Sequence, residues 1–366
     1  MSINYTKIKL LLVVFIFAAV NACKDKSPEK PLKPLNGDLI KVTDSISVLM
    51  NTFHYNPKEL TTDEYLQLEK EVINLAETAQ TKEEFIREYN LLWQNGPFSH
   101  VRLDKMNQSA QEIAKYIDTL RVGDQSVSLE WMENTAILTV NTMMGVDTKE
   151  RVEDAFKEID KRDIEYLIVD LRKNDGGTFA GIPLMAHLIS EPLEIGVFVS
   201  QKWWNSNSNP PIKENTQGLT PWQGWSIQTF WNDAQENPLT RIQIQPMSPR
   251  FDGQVYVLIS DNSFSAAELT ADGLANMENV SLIGETTGGE VLSQKMYDLP
   301  MDMQLSIPIA DYYSFRIGRI EGQGVSPDIK IDPRAAKDLA ISLINGVNLE
   351  DALTKAKDDL KNMSKN

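Results

Sequence analysis

Apolar residues in the first third of the chain recur three and four positions apart, through Leu49, Met50, Tyr65, Leu68, Val72, Ile73 and Leu75. That is the helical period, because such positions share one face of a helix. Thr61-Thr62-Asp63-Glu64 and Thr81-Lys82-Glu83-Glu84 mark helix starts. In each, a threonine hydroxyl can accept from an unpaired first-turn amide, and the acids suit the positive end of the dipole. Residues 37–97 are therefore expected to form an N-terminal helical domain. Beyond them the period changes. Residues 136–140, 166–170, 197–199, 255–259, 281–283 and 305–308 read as strands. Two of these, 166–170 and 255–259, are almost continuously apolar, as strands buried on both faces are. Amphipathic stretches at 149–159, 181–189 and 266–277 intervene. Strand alternating with helix predicts an α/β core of βαβ units. A helical tail, 334–366, is expected after Pro333, with a break near Gly346.

Residues 201–250 interrupt the alternation with Trp203, Trp204, Trp222, Trp225 and Trp231 set among Asn, Pro, Gly and Gln. A loop this long inside a compact domain is usually a lid or a binding rim. Trp203, Trp204, Trp222 and Trp225 are accordingly candidates to stack on a substrate chain. The competing expectation is that they pack the insert onto the core.

At the amino end, Lys7 and Lys9 precede an uncharged, largely aliphatic run over residues 10–20. It is shorter than the about 20 residues a spanning helix needs, and it suits a secretory signal. The segment closes with Val20-Asn21-Ala22-Cys23, which resembles a bacterial lipoprotein signal. Residues 1–22 would then be removed, Cys23 acylated, and 23–36, rich in Lys, Pro, Ser and Asp, left as a tether. An ordinary cleaved signal with an incidental cysteine is the alternative. The lipid-anchor reading predicts a bacterial cell-envelope location, with the membrane reached through acyl chains.

Composition narrows the chemistry. A formal net charge of −16 argues against a nucleic-acid partner, which would need a basic face. A single cysteine leaves neither an internal disulfide nor a Cys-rich metal site. Only His54, His100 and His187 can supply an imidazole.

Ser265 follows the apolar strand 255–259 and the polar turn Asp261-Asn262-Ser263, and opens the helix Ala266-Ala267-Glu268. A serine at the mouth of a strand–turn–helix unit has an exposed hydroxyl, and first-turn amides such as that of Ala266 have no intrahelical partner. Such amides can stabilise an oxyanion, a contribution of about 3 kcal/mol per donor. A helix-capping role is the commoner use of a serine at such a place. A second loop, Asp170-Leu-Arg-Lys-Asn174-Asp-Gly176-Gly177, leaves the carboxyl end of the other buried strand, where sites in α/β sheets gather. Its paired glycines let backbone approach a substrate closely.

Together with Gly284-Glu285-Thr286-Thr287-Gly288-Gly289 and Glu321-Gly322-Gln323-Gly324-Val325-Ser326-Pro327-Asp328, these segments resemble the tail-specific, C-terminal-processing serine peptidases of family S41, over roughly residues 95–333. The resemblance implies a core related to the Clp protease and crotonase folds, spanning 98–333, peptide substrates, and no metal or other cofactor. One branch of that family uses a serine–lysine dyad. Here Glu290 stands at the lysine position, and Lys295 is nearby but shifted. The tricorn-like branch uses an upstream histidine. Pro97-Phe98-Ser99-His100-Val101-Arg102-Leu103 matches it, with Ser99 directly before His100.

The resemblance thus assigns Ser265 as nucleophile, His100 as general base, Glu321 as the acid that steadies the imidazolium, and Ser99 as a relay. Gly176, Gly177 and Ala266 become the candidate oxyanion donors, with the donating glycine left open. Glu268 and Glu285 are read as capping or orienting residues, and His54 and His187 as packed side chains. Only about two dozen residues lie between Asp104 and Ser126, too few for the PDZ domain of the lysine branch. The alternative function is a catalytically inactive lipoprotein that binds peptides or hydrophobes on the same fold.

Overall fold

The computed structural model describes residues 35–363, so residues 1–22, Cys23 and most of the tether 23–36 lie outside the described residues. The chain begins with helices α1 (Leu35–Phe53), α2 (Asp63–Thr78) and α3 (Lys82–Trp93). The hydroxyls of Thr62 and Thr81 cap α2 and α3, accepting from Tyr65 N at 3.3 Å and Glu84 N at 3.0 Å. Helical periodicity places Leu39, Val42, Met50, Leu68, Val72, Phe85 and Tyr89 on inward faces. They share one buried cluster with Leu103, Met303, Leu305 and Ile307 from much later in the chain.

Next come β1 (Arg102–Lys105), α4 (Ala110–Thr119), β2 (Val127–Met132), β3 (Thr135–Val140), α5 (Val146–Asp160) and β4 (Tyr166–Asp170). They are followed by α6 (Gly181–Ala186), β5 (Leu193–Ser200), α7 (Gln201–Trp204), α8 (Ile227–Glu236), β6 (Leu239–Ile244) and β7 (Gln254–Ile259). The last third holds α9 (Ala266–Leu274), β8 (Val280–Gly284), β9 (Ser293–Leu299), β10 (Met303–Ser314), β11 (Gly318–Arg319), β12 (Ile329–Lys330), α10 (Pro333–Ile344) and α11 (Leu349–Met363).

Two six-stranded sheets result. In one, the order is β12-β8-β7-β4-β3-β2, parallel except for the β2–β3 hairpin. The other is antiparallel, β1-β10-β5-β6, with β9 and β11 also on β10. Period-two alternation explains the apolar runs of the parallel sheet. Leu138, Val140, Leu167, Val169, Val255 and Val257 face the cluster that includes α5, α6 and α9. The intervening Ile137, Ile168, Leu258 and Ile283 face Ala336, Leu339 and Ala340 of α10. With both faces covered, polar residues have no dry place along these strands. Each fully buried Leu or Ile contributes about 1.5–3 kcal/mol.

Three expectations change. The 201–250 insert is not structureless, because it holds α7, α8 and β6. Residues 181–189 and 266–277 end earlier as helices, at Ala186 and Leu274. The strand read at 305–308 extends over Met303–Ser314 and is buried at all twelve positions.

Candidate active site

The parallel strands β3, β4, β7 and β8 all point their carboxyl ends at one edge, and the loops that leave that edge carry the chemistry-bearing residues. Ser265 joins β7 to α9 with φ 52° and ψ −118°, a left-handed conformation that a side chain strains to adopt. The first α9 amides do not draw on its hydroxyl. Glu268 N donates to the Ser265 carbonyl at 2.8 Å, the Glu268 carboxylate accepts from Ser265 N, and no hydrogen bond from a first-turn amide to Ser265 Oγ is recorded among the described residues. The half-buried hydroxyl is therefore not spent as a helix cap.

The loop after β4 lies directly against this elbow. A Cβ on Gly176 would stand 2.7 Å from Ser265 Cβ, and one on Gly177 2.3 Å from Met144 N, so only glycine fits at either place. Buried Asn174 sets the loop's shape: its Nδ2 donates to Val140 O at 2.9 Å, its Oδ1 accepts from Gly176 N at 2.9 Å, and its carbonyl accepts from Phe264 N at 3.0 Å. The Gly176 N–H is thereby consumed. Among the described residues, the N–H groups of Gly177 and Ala266 have no recorded acceptor.

His100 sits in the turn after α3, just before β1, also with positive φ, 64°. Among the described residues only five non-glycine positions have positive φ, and Ser265 and His100 are two of them. Ser99 Oγ lies 2.5 Å from His100 Nδ1. Burial holds the imidazole below its ordinary value, opposed by the nearby carboxylates of Glu321 and Glu290. Glu321 Oε2 accepts from Val291 N at 2.8 Å. No hydrogen bond between His100 and Ser265 is recorded among the described residues. Catalytic contacts of this type are commonly long before substrate is bound.

One buried carboxylate ties the two halves together. Glu268 Oε2 accepts from Ser265 N at 3.0 Å and Glu290 N at 2.9 Å. Its Oε1 accepts from Thr287 Oγ1 at 2.5 Å and Gly289 N at 2.7 Å. Burial raises its pKa, and the four donors pull it back. Thr287 Oγ1 in turn accepts from Val325 N at 2.7 Å, and Gly289 O from Gly322 N at 2.8 Å. The Ser265 elbow, the 287–291 loop and the turn bearing Glu321 are thus one hydrogen-bonded web, with His100 in the field of two of its carboxylates. Glu268 thus orients both the Ser265 backbone and the 287–290 loop.

The remaining candidates lie in other settings. Trp204 is buried beside Tyr313, with ring centroids 6.3 Å apart, so it offers no face to a substrate. Trp222 packs against Phe179, two residues beyond Gly177, with ring centroids 4.7 Å apart and the planes tilted by 34°, and Trp203 packs with Val197 and Val199. Trp225 is 40% exposed, with Lys149 Nζ 4.0 Å from its ring centroid. Lys295, on β9, donates to Gln235 of α8 at 2.5 Å, and burial lowers its pKa. His187 is buried, stacked on Phe156, with Nδ1 2.6 Å from Pro249 O. His54 is buried with Nδ1 3.0 Å from Asn56 O. Glu285 lies in the field of Arg334.

Comparison with known proteins gives a family and a likeness of fold. Residues 134–331 match the family described as Peptidase family S41. A chloroplastic carboxyl-terminal-processing peptidase 3 of Arabidopsis thaliana is 22% identical over 205 residues, 56% of this chain and 33% of that protein. The carboxy-terminal processing protease CtpA of Bacillus subtilis is 25% identical over 217 residues, 59% of this chain and 38% of that protein. The matched segments therefore span only about a third of these relatives' length. The crystal structure of mature CPAF superposes with a TM-score of 0.57 at 12% identity, covering 85% of this chain and 98% of that one, a likeness of fold. The matched family segment contains Ser265, Gly176, Gly177 and Glu321 but not His100, which lies upstream of it. The chain belongs to peptidase family S41.

Proposed function

We propose that this S41 family member is a serine peptidase in which Ser265 attacks the scissile carbonyl while His100 takes the serine proton. The observation that supports the reading is that strained His100 lies in the field of Glu321 and Glu290, and the loops that bear those two acids are hydrogen-bonded into the web that holds strained Ser265. A serine hydroxyl is a weak nucleophile near neutral pH until a base removes its proton. For Nε2 to act as that base, Nδ1 must carry the hydrogen and donate it to Ser99 Oγ, 2.5 Å away. The Ser99 hydroxyl then donates onward, and Glu321 is the acceptor this reading assigns. The carboxylate would steady the imidazolium as it forms, the role an acid plays behind a catalytic histidine.

Gly177 and Ala266 supply the oxyanion donors in this scheme, because the Gly176 amide is already committed to Asn174. His100, protonated after attack, donates to the leaving amine, and water repeats the sequence on the acyl-enzyme. Substrates are peptides or unfolded protein tails that enter in extended form. No helix among the described residues is long and apolar enough to cross a membrane. We assign attachment to acyl chains on Cys23 at the bacterial cell envelope, on the strength of the amino-terminal sequence. Cys23→Ala should then move the protein from the membrane fraction to the soluble one.

The deciding experiment follows cleavage of an unstructured peptide and labelling by a fluorophosphonate probe. Wild type should cleave and label, Ser265→Ala should do neither, and His100→Ala should fold but lose turnover. Equal labelling of wild type and Ser265→Ala would refute the nucleophile. A wild type that binds the peptide without cleaving it would instead favour the inactive binding protein.

A further inference from the structure

The short stretch between α1 and α2 touches both arms that the proposed mechanism must bring together. On one side, the His54 ring lies 4.2 Å from that of Phe98, centroid to centroid. Phe98 is buried, packs on Trp93 at 5.2 Å, and immediately precedes Ser99 and His100. On the other side, Arg319 reaches from β11 to the same stretch. Its Nη2 donates to Tyr55 Oη at 2.8 Å and Glu59 Oε1 at 3.2 Å, and its Nε to Asp311 Oδ2 of β10 at 2.6 Å. Tyr55 Oη donates to the second Glu59 oxygen, and Tyr55 N to Pro308 O at 3.0 Å. Arg319 stands two residues before Glu321, with only the fully buried Ile320 between them.

A guanidinium that meets two carboxylates and a phenol uses its planar fork to fix direction, which a lysine could not. Burying such a cluster gains little stability over apolar packing, and its best-attested use is to specify one arrangement. Asp311 is fully buried in an otherwise uncharged strand, beside Arg319, Glu321, Glu59 and Tyr313. An apolar side chain would serve packing there equally well. What the cluster adds is a rigid link between the N-terminal helices and the turn that carries Glu321.

We propose that Arg319, held by Glu59 and Tyr55, is a positioning residue that sets Glu321 against His100, so that docking of the 54–59 stretch is a condition for activity. This rests on the reading of His100 as base and Glu321 as its acid partner. Among the described residues the one recorded hydrogen bond on the Glu321 carboxylate comes from Val291 N, so the carboxylate depends on its backbone for direction. Freed from Arg319, the turn would let Glu321 drift from the imidazole.

The test compares Glu59→Gln and Arg319→Met with wild type, using Ser265→Ala and His100→Ala as controls. Turnover of an unstructured peptide, its pH profile and thermal unfolding are measured. His100 is faced by Glu321, Glu290 and Ser99, and both acids support its protonated form. Loss of Glu321's support should therefore shift the acid limb of the profile to lower pH. Expected is a fall in kcat of about tenfold or more with KM changed less than about threefold, the pattern of misplacement rather than lost binding. Should Arg319→Met fail to fold, Glu59→Gln, which keeps the size of a partly exposed side chain, decides alone. Folded variants with kcat within about twofold of wild type and an unmoved acid limb would overturn the proposal. Turnover by His100→Ala would overturn the tetrad reading first, and the positioning role with it.

Discussion

Replacing Glu268 by glutamine removes one oxygen from a carboxylate that now accepts from Ser265 N, Glu290 N, Gly289 N and Thr287 Oγ1. The less costly orientation turns the new amide nitrogen toward Thr287, whose hydroxyl can reverse and accept. Gly289 N–H is then opposed by a donor, and a buried donor without an acceptor costs about 1–3 kcal/mol. The two contacts on the remaining oxygen lose their charge assistance, which roughly halves their strength. Part of this returns, because burial disfavours the charged carboxylate and a neutral amide is cheaper to bury. The net loss is about 2–3 kcal/mol, or a Tm lower by roughly 3–4 °C for a chain of this size.

Activity should suffer more than stability implies. Ser265 N keeps an oxygen acceptor but loses the charge assistance of a contact that helps hold the serine at its strained φ of 52°. A shift of about 1 Å in a catalytic group can cost ~100-fold, so a kcat about tenfold to a hundredfold lower, with KM little changed, is the expected outcome. The assay is the rate of fluorophosphonate labelling together with steady-state cleavage and a melting curve. A variant that melts several degrees lower yet labels within about twofold of wild type would refute the argument, since it would separate the web from the nucleophile.

Three further outcomes are expected. Because burial holds His100 below its ordinary value, the acid limb of kcat/KM should lie below about pH 6.5, and a limb above that would contradict the burial of the base. Lys295→Met should retain turnover within about threefold, since its amine is bonded to Gln235 and a distant charge is a minor contributor; a loss comparable to that of Ser265→Ala would restore the lysine-dyad mechanism. His54 is held down to about 3 by burial, against about 6.5 in the unfolded chain, so its contribution to stability is intact above pH 6.5 and lost as pH falls below it. Urea unfolding between pH 6.5 and 5 should show a slope steeper in wild type than in His54→Phe, the difference rising from about 0.7 to about 1.4 kcal/mol per pH unit as pH falls, and equal slopes would remove His54 as the cause.

The fold was readable where local pattern and burial agree. Residues 166–170 and 255–259 are apolar at nearly every position because the finished sheet covers both faces, so their strands emerged almost to the residue. Thr62 and Thr81 cap as their surroundings require, since a cap is made within one turn of chain. Strands β1, β2, β6 and β9 escaped, each carrying too much polar character for its length, as did the two-residue β11 and β12. For β1, β6 and β12 the backbone bonds come from partners far away in sequence. The 201–250 insert read as a loop because its tryptophans are spaced for contacts with several elements, not for one helix face. A single aspartate inside the apolar stretch 303–314 was the available sign of the Arg319 cluster, and nothing local named its partners.

By itself, the sequence determined the residue types that the chemistry requires. It fixed the serine after a buried strand, the paired glycines after another, the scarce histidines and the acid before Gly322. Those depend on covalent order and on hydrophobic periods of two and 3.6, which are properties of short segments. Tertiary structure alone decided which amide of the glycine pair is consumed, that Glu268 draws in four donors, and that the helices meet both the His100 turn and Arg319. Each of these is a contact between segments scores of residues apart. No local preference encodes them, because they form only when burial of the whole core brings those segments to the same edge of the sheet.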